Sequence, residues 1–193
     1  MKSFELTVSF PSATIDLANN TSEIINAFSR TDYINVVASP ALVVFQKGYL
    51  QFMVSPLQLS LRANSADDFS PFQSLLETTQ EIINKLIPDG SIFAFRITSI
   101  EDQPECFEQT LSFSNLRISE AQGIGYRFLI SNPTANRYNE FKYEPLLADS
   151  NKRYFEASIL FILNSETDLV QLFQNAFEQF NKYRQEILDQ INL

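Results

Sequence analysis

Residues Tyr154 to Leu188 read YFEASILFILNSETDLVQLFQNAFEQFNKYRQEIL, an apolar strand-like run, Tyr154–Leu163, that turns at Asn164 and Ser165 into a long patterned helix. Leu169, Phe173, Ala176, Phe180, Tyr183 and Ile187 recur in steps of four and three, and Leu172, Phe177, Leu188 and Ile191 widen the stripe. Heptad spacing alone suits a coiled coil, but a stripe this wide fits packing on a sheet. Ser165 followed by Asp168 is a helix-start signature, Lys182 and Arg184 favour the later turns, and Glu178 and Lys182 form an i,i+4 pair. A helix of about 25 residues is roughly 37 Å long, longer than most sheets are wide, so its distal end is expected to overhang. An overhanging apolar face tends to be covered by another chain, which makes Tyr183, Ile187, Leu188 and Ile191 the candidate oligomer or partner interface.

The rest of the chain supplies the sheet. FELTVSF, Phe4 to Phe10, alternates apolar and polar residues and reads as a half-buried strand. TSEIINAFSR places Ile24, Ile25 and Phe28 at helical spacing behind Thr21 or Ser22 as cap. In ALVVFQKGYLQFMV two apolar runs flank Lys47-Gly48, where glycine accepts the positive φ of a tight hairpin. Pro40 and Pro56 beside these runs mark an edge or a bulge, since each removes a ladder donor. Leu57, Leu59 and Leu61 then resume the alternation. SPFQSLLETTQEIINKLIPDG is a helix with Ser70 as cap, Pro71 at the first position and Gln73 completing a capping box. Phe72, Leu75, Leu76, Thr79, Ile82, Ile83 and Leu86 form its stripe, and Pro88-Asp89-Gly90 ends it.

SIFAFRITSI follows as a strand and completes β-α-β-β-α-β, the ferredoxin-like order of elements. Beyond the polar break EDQPE, FEQTLSFSNLRI and GYRFLI read as paired strands around SEAQGIG. The stretch 132–152 lacks a pattern and reads as an irregular excursion pinned by Tyr138, Phe141 and Tyr143. The expected fold is α+β: a mostly antiparallel sheet with a ferredoxin-like (βαββαβ) first part and a long C-terminal helix packed on one face. One domain over 1–193 with a shared sheet is favoured over a division into 1–100 and 107–193. No sequence repeat of fixed period is present, although strands followed by a helix occur at 41–87 and again at 107–190.

Composition narrows the function classes. Lys and Arg number 14 against 23 Asp and Glu, a net charge of −9, which is the wrong balance for DNA or for an anionic membrane surface. It suits a chain that repels itself or whose partners are basic. Eighteen Phe and seven Tyr supply much of the apolar mass, as a packed core requires. Cys106 is the single cysteine, so no internal disulfide forms and a reducing compartment is expected. The opening residues MKSFELTVSF lack the apolar core and small-residue cleavage site of a signal peptide, and no apolar run approaches a membrane span. The expectation is a cytoplasmic protein without membrane contact.

The absence of histidine removes Ser-His-Asp and Cys-His catalysis, histidine acid–base steps and histidine-containing zinc sites together. GIG at 123–125 lacks the third glycine and the helix that a dinucleotide loop needs, so a hairpin turn explains it better. Asp67-Asp68 and Glu166-x-Asp168 precede helices, where negative charge complements the helix dipole, and neither they nor Glu101-Asp102 have the spacing of a calcium loop. Cys106, flanked by Glu105 and Glu108, is a poor nucleophile. No catalytic residue, metal ligand or cofactor is assigned. Arg96, Arg117 and Arg127 each fall inside an expected strand; on neighbouring strands they would share the open face of the sheet as an anion-binding patch. Ordinary pairing with local glutamates is the competing explanation.

The matching segments Phe4–Phe10, Leu57–Ile100 and Phe155–Leu188 resemble an uncharacterised, sporadically distributed bacterial family that begins with an apolar strand and a short helix and ends in an apolar strand and a long helix. More loosely, the order of elements resembles the SecB export chaperones, in which an antiparallel sheet and a long C-terminal helix build a tetramer and expose apolar grooves; this chain has an extra N-terminal half by comparison. The resemblance lies in topology and implies no individual site residue. The leading expectation is a non-enzymatic binding or protein-interaction module, oligomeric and chaperone-like, with a protein partner or self-association. The alternative is a small-anion or nucleotide-binding domain or enzyme that uses the three arginines. RNA binding by a ferredoxin-like sheet would need a basic patch and an RNP-like motif, and neither is apparent.

Overall fold

The computed structural model describes residues 1–10, 14–66, 68–87, 91–112, 121–162 and 168–191, with the backbone alone at 65, 66 and 191. In chain order the elements are β1 (Lys2–Ser9), α1 (Leu17–Phe28), β2 (Ile34–Ser39), β3 (Leu42–Lys47), β4 (Leu50–Val54), β5 (Gln58–Ala66), α2 (Ser70–Leu86), β6 (Ile92–Asp102), α3 (Cys106–Ser112), β7 (Tyr126–Asn132), β8 (Arg137–Pro145), β9 (Lys152–Ile162) and α4 (Leu169–Ile191). The nine strands form one antiparallel sheet in the order β2-β3-β4-β5-β1-β6-β9-β8-β7. The protein is therefore α+β, with the C-terminal helix packed on the sheet.

Alternation places β1 at the centre. Phe4, Leu6 and Val8 are buried against the helices, while Ser3, Glu5 and Thr7 face the other way. A cluster of rings continues this layer: Phe173 of α4 lies 5.5 Å from Phe4, 5.0 Å from Phe72 of α2 and 5.7 Å from Phe95 of β6. Phe28 of α1 stacks on Phe45 of β3 at 4.3 Å. The helix face of the sheet is thus the core, and the phenylalanine-rich composition is spent there.

The first hundred residues carry two more strands than β-α-β-β-α-β. INVVAS, with no charged residue, forms β2, and Pro40-Ala41 makes the turn into β3 rather than breaking a single strand. The Gly48 turn appears as expected, with φ +57°. In the second half, Cys106–Ser112 is a helix where a strand was expected; Cys106 and Thr110, one helical turn apart, are its buried residues. The rest of that expected strand, 113–118, lies outside the described residues. The supposed excursion contains β8, whose Asn139, Phe141, Tyr143 and Pro145 are buried in strict alternation.

Helix starts shift as well. Asp16, not Thr21 or Ser22, caps α1 by accepting from the Asn19 amide at 3.2 Å. Asp68 accepts from the amide and hydroxyl of Ser70 ahead of α2. Asp168 accepts from the amides of Val170 and Gln171 at the start of α4. Glu166 and Ser165 lie outside the described residues.

The element order repeats. A strand, a helix, a meander and a closing helix occur as β1-α1-β2-β3-β4-β5-α2 and again as β6-α3-β7-β8-β9-α4. The sheet is symmetrical about the β1–β6 pair: β5, β4 and β3 step away on one side, β9, β8 and β7 on the other. Among the described residues β2 has no counterpart; it pairs with the outer edge of β3, the position that β7 occupies bare at the opposite end. Among the described residues no helix is long and apolar enough to cross a membrane.

Candidate functional site

The face of the sheet away from the helices carries charge in alternation across six strands. Arg62 of β5 meets Glu5 of β1 at 2.7 Å; Arg96 of β6 lies 4.0 Å from Glu5 and 3.8 Å from Glu156 of β9. Lys142 of β8 reaches Glu156 at 2.7 Å and Glu140 at 3.2 Å, and Arg127 of β7 reaches Glu140 at 2.6 Å. Arg127 and Lys142 stand directly opposite one another in the β7–β8 ladder, and Glu140 bridges these like charges. Arg96 and Arg127 are separated by β9 and β8, each beside a carboxylate, so the sheet does not bring these two together; Arg117 lies outside the described residues.

Burial pushes the Glu156 carboxyl up, but hydrogen bonds from Lys142 and Tyr154 and the Arg96 charge outweigh it and hold the group below the ordinary carboxylate range. Glu140 follows the same pattern, with Arg127 and Lys142 prevailing over desolvation. Each of these carboxylates is thus ion-paired to a cation on a neighbouring strand.

At the other side of the sheet α4 runs from β1 to β7. Its first turn is tied to α2 by the Leu169 amide donating to Gln80 Oε1 at 2.8 Å. Further on, Phe180 and Tyr183 pack on Phe141 of β8, and Leu188 is buried in the core. The overhang expected from helix length does not begin at Tyr183, because its ring still packs on Phe141 of β8, 6.2 Å away. Tyr183 and Ile187 are half-buried, and they line a groove of ≈ 220 Å³ with Phe128, Ile130 and Phe141, rimmed by Glu186 and Gln190. The side chain of Ile191 lies outside the described residues.

This groove borders the sheet edge. Phe128 faces it and is 41% exposed; Leu129, on the opposite face of β7, is 60% exposed. Neither residue emerged as a candidate from sequence, although the uninterrupted apolar run Phe128-Leu129-Ile130 in a strand with one charge was the available signal. β7 pairs with β8 in unbroken register from Tyr126 to Asn132.

A second pocket, ≈ 300 Å³, is lined by Phe107, Gly123, Gly125, Glu144, Pro145 and Leu147. Its one carboxylate and apolar walls do not assemble an acid–base pair. Cys106 is buried, and desolvation raises its thiol above the ordinary range, so it is no nucleophile. Among the described residues no group of His, Cys, Asp and Glu side chains is placed to hold a metal ion. Compared with known proteins, the chain matches no family model and no curated protein.

Proposed function

We propose that the protein is a non-enzymatic interaction module that engages a protein partner through the β7 edge and the groove between β7–β8 and distal α4. The observation that carries this is the coincidence of an unbulged edge strand, the exposed Phe128 and Leu129, and the adjoining apolar groove. Unpaired edge groups template the addition of a strand, and an apolar groove beside them supplies side-chain contacts. The Tyr183 and Ile187 side chains enter this function as walls of the groove. The competing role, anion or nucleotide binding by the arginines, has less support, since Arg96 and Arg127 are each engaged by glutamate.

The likeness to the SecB chaperones and to the sporadic bacterial family belongs to this proposal. Its support is the repeated element order, which accounts for the extra N-terminal half. A ferredoxin-like origin of the first hundred residues is supported by β1, α1, β4, β5, α2 and β6 following that order, the β2–β3 hairpin being an insertion after α1. A cytoplasmic setting rests on the single cysteine.

A photo-reactive residue placed at position 129 in cells tests the reading. One dominant protein adduct, absent when the same group is placed at the exposed Tyr49 turn, is expected. Equal scattered labelling at both positions would count against it.

A further inference from the structure

We infer that the β7 edge is occupied by β7 of a second copy of this chain, paired antiparallel about a two-fold axis at Leu129. Two sheets then join edge to edge with all helices on one side. This rests on the interaction reading of the same edge and names its partner.

The two ends of the sheet are not equivalent. β2 has a register shift between Asn35 and Val37, and such bulges twist an edge away from further pairing. β7 has none over its seven pairs with β8. Its internal counterpart β3 shows that the same edge position accepts an antiparallel strand, since β2 pairs there. With one end blunted, pairing through the other closes as a dimer instead of propagating as a filament.

The sequence of β7 complements itself. A two-fold axis perpendicular to the sheet keeps every residue on its own face. With Leu129 on the axis, the two leucines meet at the centre of the open face, flanked by Arg127 opposite Ser131 of the other copy. On the helix face Phe128 stands opposite Ile130 of the other copy, twice, an aromatic–β-branched pairing of the favourable kind. The two grooves then adjoin across the seam, and the exposed Phe128 and Leu129 are covered.

Charge selects the same partner. Two chains of net charge −9 repel, so a self-contact must lie where that charge is absent. β7 carries only Arg127, already paired with Glu140, and β7 with β8 holds three cations against two carboxylates. A strongly charged partner segment would find no countercharge along this edge, whereas a second β7 brings none that needs one.

Light scattering after size exclusion is expected to give about 44 kDa, twice the 22.1 kDa chain. Leu129→Lys sets two ammonium groups against each other on an already exposed position, and is expected to weaken the dimer on the order of tenfold or more with an unchanged circular dichroism spectrum. Leu129→Cys should form a disulfide-linked dimer on mild oxidation, because residues on the axis lie about 4.5–5.5 Å apart at Cα, within disulfide reach. Arg127→Cys should not, and buried Cys106 is the common background. A wild-type monomer at all concentrations, an undiminished Leu129→Lys dimer, or cross-linking at 127 in preference to 129 would overturn the inference. A monomer whose position-129 photo-adduct is a different protein overturns self-pairing and leaves the interaction reading standing; a monomer with no adduct overturns both.

Discussion

Arg184 of α4 holds Glu101 of β6 through two parallel hydrogen bonds, Nε to Oε1 and Nη2 to Oε2, both at 2.5 Å. Arg153 of β9 approaches the same carboxylate at 3.0 Å, and both guanidinium groups lie over the Phe155 ring. The distal half of α4 is therefore fastened to its own sheet, which is why it can wall a groove without being free to swing. Bidentate charge-assisted pairs of this kind contribute about 2 kcal/mol when part-buried. Arg184→Gln is expected to lower Tm by roughly 4–8 °C, with Arg184→Lys recovering less than half because an ammonium cannot make the paired contact. Thermal and urea denaturation read this out; an unchanged Tm would mean the pair contributes nothing.

Acid should destabilise the fold through the same chemistry. Burial pushes the Glu101 carboxyl up, but hydrogen bonds from Arg184, Ser99 and Arg153 prevail and hold it below the ordinary range, as at Glu156 and Glu140. A folded-state value below the unfolded one means that the unfolded chain binds more protons on acidification. The stabilisation is complete above about pH 5 and is lost as pH falls through the folded values. Tm is expected to stay level from neutral pH to about pH 5 and then to fall, with a shallower fall in Glu156→Gln. Parallel acid limbs for the variant and the wild type would contradict this.

Phe173 should be the costliest ring to remove. It is buried and touches Phe4, Phe72 and Phe95 from three different elements, so truncation leaves a cavity that the sheet cannot close. Phe173→Ala is expected to cost about 3–5 kcal/mol in urea denaturation. Phe177→Ala, at a half-buried position one turn on, should cost less. An equal cost at both would show that the ring cluster is not centred on Phe173.

Gly48 and Gly123 should resist alanine for different reasons. At Gly48 there is open space but φ is +57°, so the left-handed backbone alone penalises Gly48→Ala by about 1 kcal/mol. Gly48→Asn should be milder. At Gly123 a Cβ would sit 3.0 Å from Pro145 Cγ and 3.3 Å from Thr110 Oγ1, pressing the segment off β8 and α3. Gly123→Asn should therefore be worse than Gly123→Ala, the opposite order to position 48, as paired melting curves would show.

Much of the fold was legible where one periodicity acted alone. Phe4, Leu6 and Val8 alternate without interruption, and the wide stripe from Leu169 onward correctly pointed to packing on a sheet. β8 was hidden because its buried face opens with Asn139, a polar residue that earns its place by accepting from the Leu160 amide and the Asn132 side chain. α3 looked like a strand because seven residues are too few to display a helical period clearly. Expected strands did hold Arg96 and Arg127, but which glutamates stand between them depends on strand order, and that depends on β9 returning beside β6 from distant sequence. The β7 edge was legible only as a run of apolar residues; that nothing described flanks it is a property of the whole sheet.

Amide hydrogen exchange on β7 tests the central claim most directly. If β7 is paired with a second copy, amides between Tyr126 and Asn132 that point away from β8 will be protected at high protein concentration and will exchange progressively faster on dilution, while the bulged β2 edge stays fast throughout. Outer β7 amides that exchange as quickly as those of β2 at every concentration, or that stay protected in a dilute monomer, would contradict it.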